Sequence, residues 1–206
     1  DIIRYSQNPK PSWMEEALYS AFKTLVANSK TIFTRIGINS GEMIAGYFGS
    51  EKKKNYTMMG NNVNLASRLE GVNKQYHTNG ILISQSTKEL IGDRFVVRSL
   101  DRVRVVNINT PIGLYELIEE KSLASPELLD YMQNWESAMA EFSNKNYTKA
   151  KELLSSLAKK NTNDNVSKYY IHLLDDYFLK GTFPKEADGE GVEFNPDDGV
   201  FKLLQK

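Results

Sequence analysis

The chain has 206 residues, 40% of them hydrophobic, with 26 basic and 26 acidic side chains and a formal net charge of zero. That length holds one domain of ordinary size plus a smaller one, and the charge balance lacks the basic excess of a general nucleic-acid binder. There is no cysteine, which removes disulfides, thiolate zinc sites and cysteine nucleophiles. No apolar run reaches the length of a bilayer span. Position 1 is Asp rather than Met, so a longer natural chain is expected.

In chain order, Trp13 to Ala27 reads as a helix, with Met14, Ala17, Leu18, Ala21, Phe22 and Leu25 at helical spacing and Ser12 as N-cap. Ile32 to Asn39 alternates as a strand, Ser40-Gly41 is a turn, and Met43 to Phe48 is a second strand, so the pair is expected to form a hairpin. Gly49 to Asn55 reads as a Lys-rich loop and Tyr56 to Met59 as a short strand. Gly60 precedes an amphipathic helix from about Asn62 to Tyr76, with Val63, Ala66, Leu69, Val72 and Tyr76 as its stripe. Ile81 to Ile83 is a strand and Gln85 to Ile91 a short helix; Phe95 to Arg98, Arg102 to Ile108 and Gly113 to Ile118 are further strands.

After Glu120 the pattern turns helical. Ser125-Pro126-Glu127 is a helix start, and Pro126 to Phe142, Tyr147 to Lys160 and Asn165 to Phe178 are three helices. The boundary falls near 121–125, dividing a domain over 1–120 from a tail over 125–206, and Lys180 to Lys206, rich in Gly, Pro and acidic residues, is expected to be irregular. Strands mixed with helices followed by helices alone give an α+β domain with an all-helical appendage.

One stretch carries chemistry. Tyr56-Thr57-Met58-Met59-Gly60 runs into Asn61-Asn62-Val63-Asn64-Leu65-Ala66-Ser67-Arg68-Leu69-Glu70. A strand, a glycine and a helix N-terminus present free N–H groups and a dipole suited to an anion. Asn64 and Arg68, four apart, share a face that is not the apolar stripe. Arg suits phosphate oxygens and Asn a ribose oxygen. Spacing alone more often marks a solvated polar face, with Arg68 paired to Glu70 or Glu15; Thr57 taken alone is an ordinary β-branched strand residue.

Arg35-Ile36-Gly37-Ile38-Asn39-Ser40-Gly41, Ala45-Gly46, Gly49-Ser50, Tyr56-Thr57, the stretch from Gly60 to Glu70, Ile81-Leu82-Ile83-Ser84 and Pro111 to Leu117 resemble, in order and spacing, the class III adenylate and guanylate cyclases. The resemblance spans roughly Asp1 to Leu117 and implies a ferredoxin-like cyclase domain lacking its first strands. It implies an adenylate cyclase that converts ATP to 3′,5′-cyclic AMP and diphosphate. In that family the helix Asn orients the ribose and the Arg binds the α-phosphate, roles that fall on Asn64 and Arg68. Thr57 falls where the purine is contacted, and Thr there favours ATP. Asp1 falls on the second of two metal-binding aspartates and is a candidate Mg²⁺ ligand, the alternative being a frayed end. Two Mg²⁺ ions, or Mn²⁺, are the implied cofactors, and a homodimer the implied active form.

Three departures stand against this. The first metal aspartate and the purine-contacting lysine would precede Asp1, and Val106-Asn107-Ile108 replaces the family's K-G-K, with Arg104 or Lys52, Lys53 and Lys54 as the cations that could compensate. These 206 residues by themselves are therefore expected to be inactive, and a non-catalytic dimerisation or interaction module is the alternative function. Trp135, Ala138, Phe142, Tyr147, Ala150 and Leu154 resemble one tetratricopeptide repeat, equally a plain helical hairpin, and a single repeat must pack on the domain, on the helix from Asn165 or on a protein partner. The ending from Asp197 to Phe201 is similar to that of bacterial cyclases linked to membrane sensors, implying a cytoplasmic segment with no membrane contact of its own.

Overall fold

The computed structural model describes residues 20, 34–104, 111–183, 192–195 and 200–203. The chain divides into two compact units, Asp1–Thr34 and Arg35–Lys206. In the first, Ser20 is helical and exposed; the rest of the helix expected over Trp13 to Ala27, and Asp1, lie outside the described residues. Everything below concerns the second unit.

Its elements are β1 (Ile36–Ile38), β2 (Ile44–Ser50), β3 (Lys53–Met59), α1 (Asn61–Tyr76), β4 (Ile81–Ser84), α2 (Gln85–Ile91), β5 (Phe95–Arg104), β6 (Ile112–Glu120), a 3₁₀ turn (Lys121–Leu123), α3 (Pro126–Ser143), α4 (Tyr147–Lys160), α5 (Asn165–Lys180), β7 (Val192–Asn195) and β8 (Val200–Leu203). Six strands form one sheet in the order β1-β4-β6-β5-β8-β7, and β2 and β3 form a separate ribbon. This is the mixed α+β architecture expected of the fold class.

Two expectations are corrected here. The hairpin does not join β1 to β2. β1 pairs in parallel with β4, Gly37 opposite Leu82, while β2 pairs antiparallel with β3 over seven residue pairs from Ile44↔Met59 to Ser50↔Lys53. The Lys-rich stretch is consequently half strand: Lys53, Lys54 and Asn55 supply ladder partners, because a ribbon exposed on both faces tolerates charged side chains. The second correction is at the end of the chain, where β8 pairs in parallel with β5 and antiparallel with β7, extending the sheet by two strands.

The helical segment does not stand apart. One buried cluster joins Leu65, Leu69, Val72 and Tyr76 of α1 and Leu82, Leu100, Val103 and Leu114 of the sheet to Trp135, Ala138, Phe142, Ala150, Leu154, Tyr170 and Leu174 of the three helices. The hairpin of α3 and α4, turning at Asn144–Asn146 with Lys145 left-handed at φ 63, thus packs on both the sheet and α5. Helix starts follow their caps: Ser125 accepts from the Leu128 N–H with Pro126 in the first turn, and Asp164 accepts from the Val166 N–H.

Two polar clusters pin this junction. Arg98 on β5, 3% exposed, lies opposite Glu116 in the β5–β6 register. Its Nη2 meets Glu116 Oε2 at 2.8 Å and its Nη1 meets Asp164 Oδ1 at 2.7 Å. Tyr131 and Ser167 both donate to Asp164 Oδ2 at 2.5 Å. The Asn79 N–H donates to Glu116 Oε1 at 2.6 Å, and the guanidinium carbon sits 4.8 Å from the Trp135 ring centre. Burial works to raise both carboxyls. At Asp164 the Arg98 charge and the two hydroxyl donors outweigh burial and hold the pKa below the usual range. At Glu116 burial prevails over Arg98 and the pKa is raised.

The second cluster is made by a bulge. The β5–β6 register slips between Ser99 and Arg102, and Leu100 and Asp101 are both buried where alternation would expose one of them. Asp101 is thereby turned inward, and its Oδ2 accepts from Tyr170 at 2.5 Å and from Tyr76 at 3.3 Å. Burial pushes its carboxyl up to about 7, against the opposing effect of both tyrosines and Arg102.

Removing one partner of a buried ion pair leaves an uncompensated charge, so Asp164→Ala should cost roughly 3–5 kcal/mol, read from the urea midpoint of the natural protein. A carboxyl whose pKa is higher folded than unfolded holds an extra proton in the folded state, so its contribution falls as pH rises from about 4 to about 7. Against Asp101→Asn, which stays neutral throughout, the wild type should lose on the order of 4 kcal/mol over that window. Unfolding curves at pH 4.5, 6 and 8 (approximate settings spanning the window) check it; a flat difference would contradict the burial argument.

Candidate functional site

The strand β3, Gly60 and helix α1 form the expected strand–glycine–helix junction. Gly60 is the N-cap residue at φ 146 and ψ 165, a backbone conformation closed to L side chains. It leaves α1 with no side-chain cap and no acidic residue in its first turn, so the leading N–H groups and the positive end of the dipole are not engaged by a cap. Asn64, whose N–H closes the first helical bond to the Gly60 carbonyl at 3.1 Å, is exposed, and Arg68, one turn on, is half-buried. Glu70 pairs with Arg35, Nε to Oε1 at 3.3 Å.

Thr57 lies on β3 directly opposite Gly46 of β2. Its neighbour pair, Tyr56 and Tyr47, makes an edge-to-face contact at 5.2 Å on the other face of the ribbon. Among the described residues, an added Cβ at Gly46 would find only the Phe48 ring, at 3.8 Å, and Thr57, with no cross-strand side chain opposite, is exposed.

The position of α1 is set by residues to which the sequence assigned no role of their own. A Cβ on Gly37 would lie 2.2 Å from the Ala66 carbonyl oxygen and 2.4 Å from the Glu70 nitrogen; glycine is what lets α1 rest directly on β1. Asn73, buried, donates to the Ile36 and Leu69 carbonyls at 3.1 Å each and accepts from Thr78 at 2.5 Å. At the other end of the helix, Asn39 donates to the Asn62 carbonyl at 3.1 Å and to its Oδ1 at 3.0 Å, and Asn62 donates to the Glu42 carbonyl at 2.9 Å. Ser86 donates to Asn39 Oδ1 at 3.1 Å and to the Ser40 carbonyl at 2.8 Å, tying the same loop to the start of α2. The signal for these roles was present in Arg35 to Gly41, where small and amide residues interrupt an apolar strand.

The structure therefore brings Thr57, Asn64 and Arg68 onto consecutive elements, while Asp1, Val106, Asn107 and Ile108 lie outside the described residues. Among the described residues no group of three or more His, Asp or Glu is placed to hold a metal ion, and no helix is long and apolar enough to cross a membrane.

Comparison with known proteins decides the family. The model of the adenylate and guanylate cyclase catalytic domain matches residues 8–117, more than half of the chain. The chain belongs to this family. It is 39% identical over 111 residues to the terminal-differentiation specific adenylate cyclase of Dictyostelium discoideum, and 36% identical over 85 residues to adenylate cyclase 1 of Rhizobium meliloti (strain 1021). Those matches cover 50% and 41% of this chain but 5% and 13% of the relatives, so the chain corresponds to a small part of each. Among solved structures it resembles the adenylyl cyclase CyaB of P. aeruginosa, at 28% identity and TM-score 0.41 over 52% of this chain and 54% of that one. It also resembles the guanylate cyclase domain of RhGC from Catenaria anguillulae in complex with GTP, at 28% identity and TM-score 0.37 over 54% and 64%. The family match ends at residue 117, within β6, and α3, α4 and α5 follow it in the chain.

Because Gly37 admits no side chain without moving the backbone of α1, Gly37→Ala in the cyclase domain should cost at least the ~1–3 kcal/mol typical of overpacking. It should also shift the helix relative to β1. A thermal melt measures the first and a structure of the variant the second; an unshifted melting point would show that the close approach is not tight.

Proposed function

We propose that this cyclase acts on ATP, forming 3′,5′-cyclic AMP and releasing diphosphate. The observation that carries the reading is the pairing of Asn64 and Arg68 on the first turns of a helix with no side-chain cap, behind a strand that leaves Thr57 uncovered opposite Gly46. The ribose 3′-oxygen attacks the α-phosphorus, and the bond from that phosphorus to the bridging oxygen of diphosphate breaks. Arg68 meets the negative charge that builds on the α-phosphate oxygens, Asn64 fixes the ribose, and Thr57 offers its hydroxyl to the purine edge. These are positioning and electrostatic roles, strongest when the groups are held before substrate arrives.

Mg²⁺, or Mn²⁺, is the cofactor this reading implies, and it would activate the 3′-oxygen and hold the phosphates. The carboxylates for it would be Asp1 and others beyond the described residues. A homodimer is the proposed active form. The ribbon of β2 and β3 supports it: on one of its faces Tyr47, Tyr56 and Met58 are 74%, 66% and 50% exposed, an apolar surface of the kind that a second copy covers. The segment over 125–206 is proposed as distinct in sequence from the cyclase domain, its helices available to a protein partner, and the enzyme as a cytoplasmic one attached to a sensor. The alternative, a non-catalytic regulatory module, is favoured by Val106-Asn107-Ile108 where the family carries K-G-K.

Steady-state cyclase assays on the natural protein test the reading. Arg68→Ala and Asn64→Ala should each lower kcat by about 10²–10³-fold, with KM for ATP changed far less, as for loss of a donor aimed at developing charge. ATP should outcompete GTP. Wild-type turnover in both variants would remove the site assignment, a preference for GTP would overturn the base assignment, and no turnover with any nucleotide would favour the regulatory module.

A further inference from the structure

The C-terminal helices reach the helix that bears Asn64 and Arg68 through a shared carboxylate and the tyrosine rings around it. Tyr76 is the last residue of α1 and is buried to 1% exposure. Its hydroxyl donates to Asp101 Oδ2 at 3.3 Å, and the hydroxyl of Tyr170, on α5, donates to the same oxygen at 2.5 Å. The rings reinforce the contact: Tyr169 packs edge-on to Tyr76 at 5.4 Å and to Tyr170 at 5.3 Å, and Tyr170 lies edge-on to Trp135 at 5.6 Å. Asp101 faces this cluster only because of the bulge in β5.

α1 is one uninterrupted helix from Asn61 to Tyr76. At a rise of about 1.5 Å per residue, Arg68 is roughly 12 Å and Asn64 roughly 18 Å along the axis from Tyr76. Such a rod transmits a shift at one end to the other, because its backbone hydrogen bonds resist bending. Its mid-section rests on β1 through Gly37 and Asn73, which fixes its distance from the sheet. Asp101 and Tyr170 fix the far end.

We propose that Asp101 and Tyr170 are positioning residues of the cyclase reaction: through Tyr76 they hold α1 in the register that presents Asn64 and Arg68, making the C-terminal helices a working part of the catalytic unit. The proposal rests on the role of Asn64 and Arg68 given above. It assigns a function to the tail that requires no partner. Tyr170 touches neither nucleotide nor reacting atoms, and acts only by where it sets α1.

The test uses the natural protein with Tyr170→Phe, which deletes one hydroxyl and keeps the ring, and Asp101→Asn and Asp101→Leu, of which only the first keeps an acceptor. Tyr170→Phe and Asp101→Leu should lower kcat for ATP by about tenfold or more, the scale expected for a displacement under 1 Å. KM should change by less than about threefold, since ground-state binding is not what these residues control. Asp101→Asn should recover most of the activity. Hydrogen exchange supplies a readout independent of catalysis: amides of Asn61–Tyr76 should exchange faster in Tyr170→Phe and Asp101→Leu, while those of α4, which carries no part of the cluster, keep the wild-type rate. Unchanged kcat together with unchanged α1 exchange would overturn the proposal, as would an equal rise in exchange over α1 and α4, the sign of plain global destabilisation. If Arg68→Ala leaves turnover intact, the site reading fails, and the exchange data still decide whether Tyr170 holds α1.

Discussion

The fold depends on how one buried cation is shared. Arg98 stands in the middle of the sheet with Glu116 across the ladder and Asp164 above it, so a single positive charge is divided between two carboxyls. The division is unequal. Asp164 also receives hydroxyls from Tyr131 and Ser167 and sits at the N-terminus of α5, where the dipole favours an anion. It is held ionised, whereas Glu116 is pushed toward the neutral form. A buried ion pair adds little net stability over a hydrophobic contact of the same size, but its geometry is demanding. What Arg98 contributes is therefore placement: α5 can dock on the sheet only where its cap meets the guanidinium.

That placement determines the second cluster. With Asp164 fixed, Tyr170 lies further along the same helix and reaches Asp101. A regular β5 would have sent Asp101 to the surface beside Arg102, an exposed residue. The bulge sends it inward at the cost of a buried carboxyl. Two tyrosine hydroxyls offset part of that cost without supplying a full countercharge, which is why the carboxyl titrates near neutrality instead of far below it. The burial of one carboxyl on β5 yields a direct hydrogen-bonded link between the cyclase sheet, α1 and the C-terminal helices.

The helices were legible in the sequence because their signals are local. Gly60 and Ser125-Pro126 mark starts that the structure reproduces, and of the expected stripe of α1 Leu69, Val72 and Tyr76 are buried, joined by Leu65. Pairings between strands were not legible. A short connection between Ile38 and Ile44 suggests a hairpin, yet β1 finds β4, more than forty residues on, because Gly37 must lie under α1 and β4 follows α1. β7 and β8 were hidden by their setting among Gly, Pro and acidic residues. The meeting of Arg98 with Asp164 carried no sequence signal, since nothing in a linear reading brings together residues separated by 66 positions. The strand–glycine–helix junction was legible as a motif, while of the supports beneath it Asn39 and Asn62 stood only within the family resemblance and Asn73 carried no signal.

The supports differ in kind from the groups they support. Asn39, Asn62 and Asn73 hold α1 through bonds to backbone carbonyls, so they specify the position of the main chain and are indifferent to the side chains it displays. Asn64 and Arg68 leave from that chain toward a different face, with conformations of their own. A helix held at three places along its length, at Asn62, at Gly37 with Asn73, and at Tyr76, has little freedom to roll or slide. Side chains one turn apart on such a helix keep a constant mutual spacing, which is the condition for an amide and a guanidinium to act together on one phosphate ester.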